Sequence, residues 1–227
     1  MTAVDAVLFD LDDTLVEYRR STVEVLDAAF ERAGVDPFFA VEAYHERFDE
    51  FAKTADTIEE LRTACFAAIA DERGRDPADG EAVAAAYAEE RDQANVDPLP
   101  GARAAVDALA ADHRLGLVSN GTPGMQRTKL TAAGLEDAFE VTVFGGAEVP
   151  PKPDPAPFER ALTELGASPE RAVHVGNSAS TDVAGAHAAG LRSVWLRRGA
   201  EGDAAAPTPE PHHVVASPGA LTDPPWR

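Results

Sequence analysis

The 227 residues contain one cysteine, Cys65, so no internal disulfide can form and a reducing cytoplasm is the expected compartment. Lysine is nearly absent: Lys53, Lys129 and Lys152 are the only three. Twenty basic residues face 40 acidic ones, for a net charge of −20. A field of that sign repels nucleic acid and anionic membranes, both of which need Lys/Arg patches, so neither is an expected partner. The acids are scattered rather than gathered in blocks, which argues against a docking segment for a basic partner. It argues instead for the acidic, lysine-poor surface that keeps halophilic proteins dispersed in a salty cytosol. No run approaches 18 apolar residues, and the opening MTAVDAVLFD has neither a basic start nor a cleavable apolar stretch. Neither a membrane span nor a signal peptide is expected.

What is present is a regular alternation. Apolar runs at Val4 to Phe9, Leu115 to Val118, Val141 to Phe144, Val173 to Val175, Ser193 to Leu196 and Val214 to Ala216 read as buried strands. Helical patterns lie between them at Ala102 to Ala111, Met125 to Ala133, Pro157 to Leu165 and Val183 to Ala189, with Gly134, Gly166 and Gly190 as stops. Strand–helix alternation predicts an α/β fold, a parallel sheet covered on both faces, with ligands beyond the carboxyl ends of its strands. Asp10, Ser119 and Asn177 each fall at such an end.

The alternation stops between Val16 and Asp97, where the pattern is helical only. Ser21-x-x-Glu24 and Thr57-x-x-Glu60 read as capping boxes, Gly34 as a stop, and Phe38, Val41, Tyr44, Phe48 and Phe51 as one helix face. Asp79 is placed to cap a fourth helix through Val83 and Tyr87, and the third ends near Gly74. Asp97 to Gly101, DPLPG, reads as a hinge back to the core, and Gly199 to Pro211 as loop. The expected organisation is a core of residues 1–15 and 98–227 with a helical insertion at 16–97.

The carboxylates of Asp10-Leu11-Asp12-Asp13-Thr14 crowd the end of a buried strand, which is costly unless a cation holds them. A hard cation with oxygen ligands, such as Mg²⁺ beside a phosphate, suits that cluster. With this pattern the chain resembles the haloacid dehalogenase-like hydrolase superfamily at four stations in order. The first is the strand followed by Asp10-x-Asp12-x-Thr14. The second is Val118-Ser119-Asn120-Gly121. The third is Lys152-Pro153-Asp154-Pro155 with Phe158. The fourth runs from Gly176-Asn177 to Asp182, then Gly185-Ala186-His187-Ala188-Ala189-Gly190.

The resemblance implies a Rossmann-like parallel-sheet core with an inserted α-helical cap domain. It implies a Mg²⁺-dependent phosphatase acting on a small phosphorylated metabolite through an aspartyl phosphate. Asp10 would be the nucleophile and Asp12 the acid and then the base. Ser119, Asn120, Gly121 and Lys152 would hold the phosphate, and Asp10, Asp12, Asn177 and Asp182 the metal. Asn177 stands where many relatives carry Asp, and Asp13 where Gly is common. The same stations suit three other readings: a metal-independent 2-haloacid dehalogenase, which generally lacks the second Asp; a phosphomutase; and an inactive binding protein. A monomer or homodimer is expected. His45, His174, Cys65 and Trp195 read as structural, and Glu17, Tyr18, Arg19 and Arg20 as a substrate rim or solvated surface.

Overall fold

A computed structural model describes residues 3–51, 55, 57–147, 149–198 and 208–227. The chain separates into two compact units, residues 1–18 with 93–227, and residues 19–92.

The first unit is built on strand β1 (Ala6–Phe9), whose four residues are wholly buried. Side chains alternate across a strand. Val7 and Phe9 accordingly join one apolar cluster, with Val106, Leu109 and Leu130, while Ala6 and Leu8 join another, with Phe158 and Leu162. Each large side chain buried this way contributes about 1.5–3 kcal/mol. After β1 comes the short β2 (Val16–Tyr18), which pairs antiparallel with β3 (Val96–Pro98) in a two-stranded ribbon. The main sheet adds β4 (Arg114–Asn120), β5 (Val141–Gly145), β6 (Ala172–Gly176), β7 (Arg192–Leu196) and β8 (His213–Val215). Its order is β5-β4-β1-β6-β7-β8, all parallel. The α/β reading is therefore correct, and β1, β4 and β6 lie side by side.

The second unit contains α1 (Thr22–Ala33), α2 (Val41–Phe51), α3 (Ile58–Glu72) and α4 (Pro77–Glu90). Both capping boxes form: Glu24 N donates to Ser21 Oγ (3.2 Å) and Ser21 N to Glu24 Oε2 (2.7 Å), and Thr57 and Glu60 repeat the exchange. The interior is aromatic, with Phe39 against Phe66 at 4.9 Å and Tyr44 against Phe66 at 5.1 Å.

Four expectations need correction. Asp76, not Asp79, caps α4, accepting from Ala78 N at 3.0 Å. Pro77 follows it at the first helical position, where a missing N–H costs nothing, and Asp79 pairs with Arg75 instead. Phe38 precedes α2 rather than lying on it. Val16–Tyr18 and Val96–Pro98, read as the edges of the insertion and its hinge, form the ribbon and belong to the first unit. The last helix of the pattern begins as a π-helical turn, Ala179–Val183, before the short α helix Ala184–Ala188. Of the tail read as loop, residues 199–207 lie outside the described residues, as does Lys53. No helix among the described residues is long and apolar enough to cross a membrane.

Candidate active site

The site lies at the carboxyl ends of β1, β4 and β6. Asp10 follows β1 directly and is 7% exposed. Its Oδ1 accepts from Lys152 Nζ at 2.8 Å and its Oδ2 from the Thr14 hydroxyl at 3.1 Å. Lys152 is buried too, and its ammonium also reaches Val118 O (2.8 Å) and Asp182 Oδ1 (2.6 Å). Its three donors are thus all occupied, as a buried ammonium requires.

The backbone of Lys152 is fixed by Asn120 at the end of β4. Asn120 Nδ2 donates to Lys152 O (2.9 Å) and Lys152 N donates to Asn120 Oδ1 (2.8 Å). This two-point amide pair explains an Asn after Ser119. It engages one N–H and one lone pair of the amide, so Asn120 sets the loop that carries Lys152. The Gly121 N–H is likewise taken, by Gly145 O at 3.3 Å.

Asp182 reaches the cluster from the π-helical turn, a feature frequent at functional sites. Oδ1 accepts from Lys152 and meets His174 Nε2 at 3.0 Å, while Oδ2 accepts from Ser178 N at 2.9 Å. A side chain on Gly176 would not fit, because its Cβ would stand 2.2 Å from Asp182 Cγ. Asn177 Oδ1 lies 3.4 Å from Thr14 Oγ1, across that hydroxyl from Asp10, and Trp195 Nε1 holds the Asn177 carbonyl at 2.8 Å. His174 and Trp195, read as structural, therefore position site residues without facing a ligand.

Burial and charge set the titration of these groups. Burial pushes the Asp10 carboxyl up to about 6, against the Lys152 charge and reinforced by Asp182. Burial acts the same way on Asp182, but Lys152 and the His174 hydrogen bond outweigh it and hold that carboxyl below the usual range. Burial lowers His174, only partly offset by Asp182, so the ring stays neutral. Burial would lower Lys152, but Asp10 and Asp182 hold it raised.

With Asp10 and Asp182 anionic, Lys152 cationic and His174 neutral, the buried group keeps one uncompensated negative charge. Asp10 Oδ2 and Asn177 Oδ1, two hard oxygens converging on Thr14, are where a cation would relieve it. Asp182 meets the same group through Lys152, which its Oδ1 shares with Asp10. Among the described residues no three His, Cys, Asp or Glu side chains are arranged as a metal cage.

Asp12 stands apart from this cluster. Lys129 Nζ grips both its oxygens, at 2.7 and 2.9 Å, and Gln126 Nε2 donates to Oδ2 at 2.9 Å. Both partners come from the helix Pro123–Ala133, and both are buried. Gln126 Nε2 also lies 2.8 Å from Ser119 Oγ. Neither Gln126 nor Lys129 is evident from the motifs. The available signal was their i, i+3 spacing on the helix after Ser119, together with the rarity of lysine.

Residues 4–190 match the haloacid dehalogenase-like hydrolase family. The chain belongs to this family. It is an enzyme, a hydrolase similar over most of its length to curated members. It is 33% identical to a phosphoserine phosphatase of Thermus thermophilus, over 85% of this chain and 88% of that one. It is 35% identical to a phosphoglycolate phosphatase of Rhodospirillum rubrum, over 86% and 80%. The fold is shared with the family member YfnB of Bacillus subtilis, crystallised bound to magnesium, at a TM-score of 0.75 and 20% identity over 95% and 96% of the two chains. It is also shared with a 2-haloacid dehalogenase of Pseudomonas syringae, at 0.63 and 24% over 99% and 100%.

Proposed function

We propose that this hydrolase is a Mg²⁺-dependent phosphatase that cleaves small phosphate monoesters through a phosphoryl group carried on Asp10. The observation that carries the reading is two carboxylates two residues apart in different surroundings. Asp10 is buried on Lys152, whereas Asp12 is half-exposed on Lys129 and Gln126. Such separated environments divide nucleophile from acid–base partner.

Asp10 attacks phosphorus, the ester P–O bond breaks, and the leaving alkoxide takes a proton from Asp12. Water then attacks the aspartyl phosphate, giving its proton to Asp12 as the Asp10–phosphorus bond breaks and phosphate leaves. An anionic nucleophile meeting a phosphate dianion faces about 8 kcal/mol of repulsion at 4 Å and an effective dielectric near 20. Lys152 offsets part of it by charge. The Ser119 hydroxyl, which accepts from Gln126, keeps its own proton for a phosphate oxygen. Asp10, Asn177 and the Asp12 backbone carbonyl would hold Mg²⁺, with Asp182 behind them on Lys152. The ion supplies charge compensation for the transferring phosphoryl group.

A dehalogenase needs no acid for its leaving group, so the paired Asp12 favours the phosphatase. The insertion directly after the first motif fits the capped subclass. Burial pushes the Cys65 thiol up to about 11, which suits an inert core residue in a reducing cytoplasm.

The test is phosphate release from phosphoserine, phosphoglycolate and glyceraldehyde 3-phosphate, with Mg²⁺ or EDTA. Activity is expected only with Mg²⁺, and Asp10→Asn is expected to leave under a few per cent. Asn177→Asp, which adds a charge at constant volume, is expected to lower the Mg²⁺ concentration for half-maximal activity. Full activity in EDTA would remove the metal, and an active Asp10→Asn would remove the covalent step.

A further inference from the structure

Gln126 is a costly residue to keep. It is 1% exposed, and its Oε1 has no hydrogen-bond partner among the described residues. A buried acceptor left without a partner loses the hydrogen bonds it makes to water in the unfolded chain. Its other end is overcommitted: Nε2 has two protons and three acceptors, Asp12 Oδ2 (2.9 Å), Ser119 Oγ (2.8 Å) and Asn120 O (3.1 Å). The loop makes room for it, since a Cβ on Gly121, at φ +141°, would come within 3.0 Å of that nitrogen. Lys129 is equally expensive. The residue is 4% exposed, and its ammonium spans both Asp12 oxygens and lies 4.9 Å over the Tyr18 ring. Asp12 itself is solvent-accessible, with 36% of its side chain exposed, and has no need of a buried cation for solvation.

Two buried polar side chains therefore converge on one carboxylate. Lys129 fixes the plane of that carboxylate by gripping both oxygens. Gln126 fixes its distance from Ser119, because one nitrogen bonds to both. A phosphate held by the Ser119 hydroxyl would present its ester oxygen to a carboxylate already aimed. Resting on the phosphatase reading, we propose that Gln126 and Lys129 are positioning residues that set the aim of Asp12 at the leaving group.

The experiment compares Gln126→Met, Lys129→Met and Lys129→Arg with wild type, in single-turnover phosphorylation of the enzyme by an alkyl phosphate and by p-nitrophenyl phosphate. Only the alkoxide needs an acid. The Met variants are expected to slow the alkyl ester by about tenfold or more, a fraction of what a general acid supplies. The nitrophenyl ester is expected to lose less than the alkyl ester in both, and least in Lys129→Met, because Gln126 also bonds Ser119. Lys129→Arg should recover part of the loss, and melting temperatures should hold or rise. In an Asp12→Asn background the same substitutions should have no further effect, because they act through that residue. Equal losses on both esters with lower melting temperatures, or effects undiminished in Asp12→Asn, would overturn the proposal. A turnover-free arm compares crystal structures of wild type and the Gln126→Met/Lys129→Met double variant. A spread of Asp12 rotamers supports the proposal, and a single unchanged rotamer overturns it. A wild type inert on every ester tried defeats the phosphatase reading, and the rotamer arm then decides the positioning role alone.

Discussion

Asp10 must be buried and anionic at once, and the protein meets that demand only in part. Burial raises its carboxyl to about 6, against Lys152 and with help from Asp182. A carboxyl raised above its unfolded value favours the folded state while protonated. That contribution is complete below the unfolded value of 3.8 and is lost as the pH rises through about 6. Ionised Asp10 therefore works against the fold at neutral pH. In EDTA, Asp10→Asn should raise the melting temperature by a few degrees at pH 7.5, since roughly 1 kcal/mol moves a chain of this size by about 2–4 °C. The gain should fall by roughly half near pH 5 and vanish only below about pH 3.8. An equal gain at both values would trace the effect to something other than this ionisation. The residues of the motifs were legible because each ends a strand: Asp10, Ser119 and Asn177 were placed by pattern alone. Gln126 and Lys129 were not, because a polar pair at i, i+3 on an amphipathic helix looks the same whether it faces solvent or a carboxylate. Asn120 was legible as a site residue but not as a brace, since its partner is backbone far along the chain.

At the scale of elements, strands of the main sheet were readable because burial on both faces leaves continuous apolar runs. The ribbon of β2 and β3 was not. Three-residue strands are too short to show alternation, and Pro98 reads as a turn residue. The π-helical turn at Ala179–Val183 was hidden for another reason. Its composition suits an ordinary helix, and its geometry is selected by Asp182 turning back to Ser178 N beneath Gly176. Asp79 was expected as the cap, and Pro77 shows why Asp76 takes that place, since Pro belongs one position after the cap.

For the whole molecule, a net charge of −20 over 227 residues means self-repulsion that water alone does not remove. Raising KCl from about 0.1 M to about 1 M shortens the screening length from about 10 to 3 Å. The melting temperature should climb over that interval and level off above it. A flat or falling curve would remove the halophilic reading of the surface. The ribbon carries a consequence for how such a chain can be rebuilt. The chain leaves the first unit after Tyr18 and re-enters it at Gln93, and three residues later Val96 is the register partner of Tyr18 on the antiparallel strand. Antiparallel partners stand about 4.5–5.5 Å apart, a gap that a two-residue Asn-Gly turn closes. Joining Tyr18 to Val96 through such a turn is expected to replace the helical unit by a hairpin and to keep the register of the two-stranded ribbon.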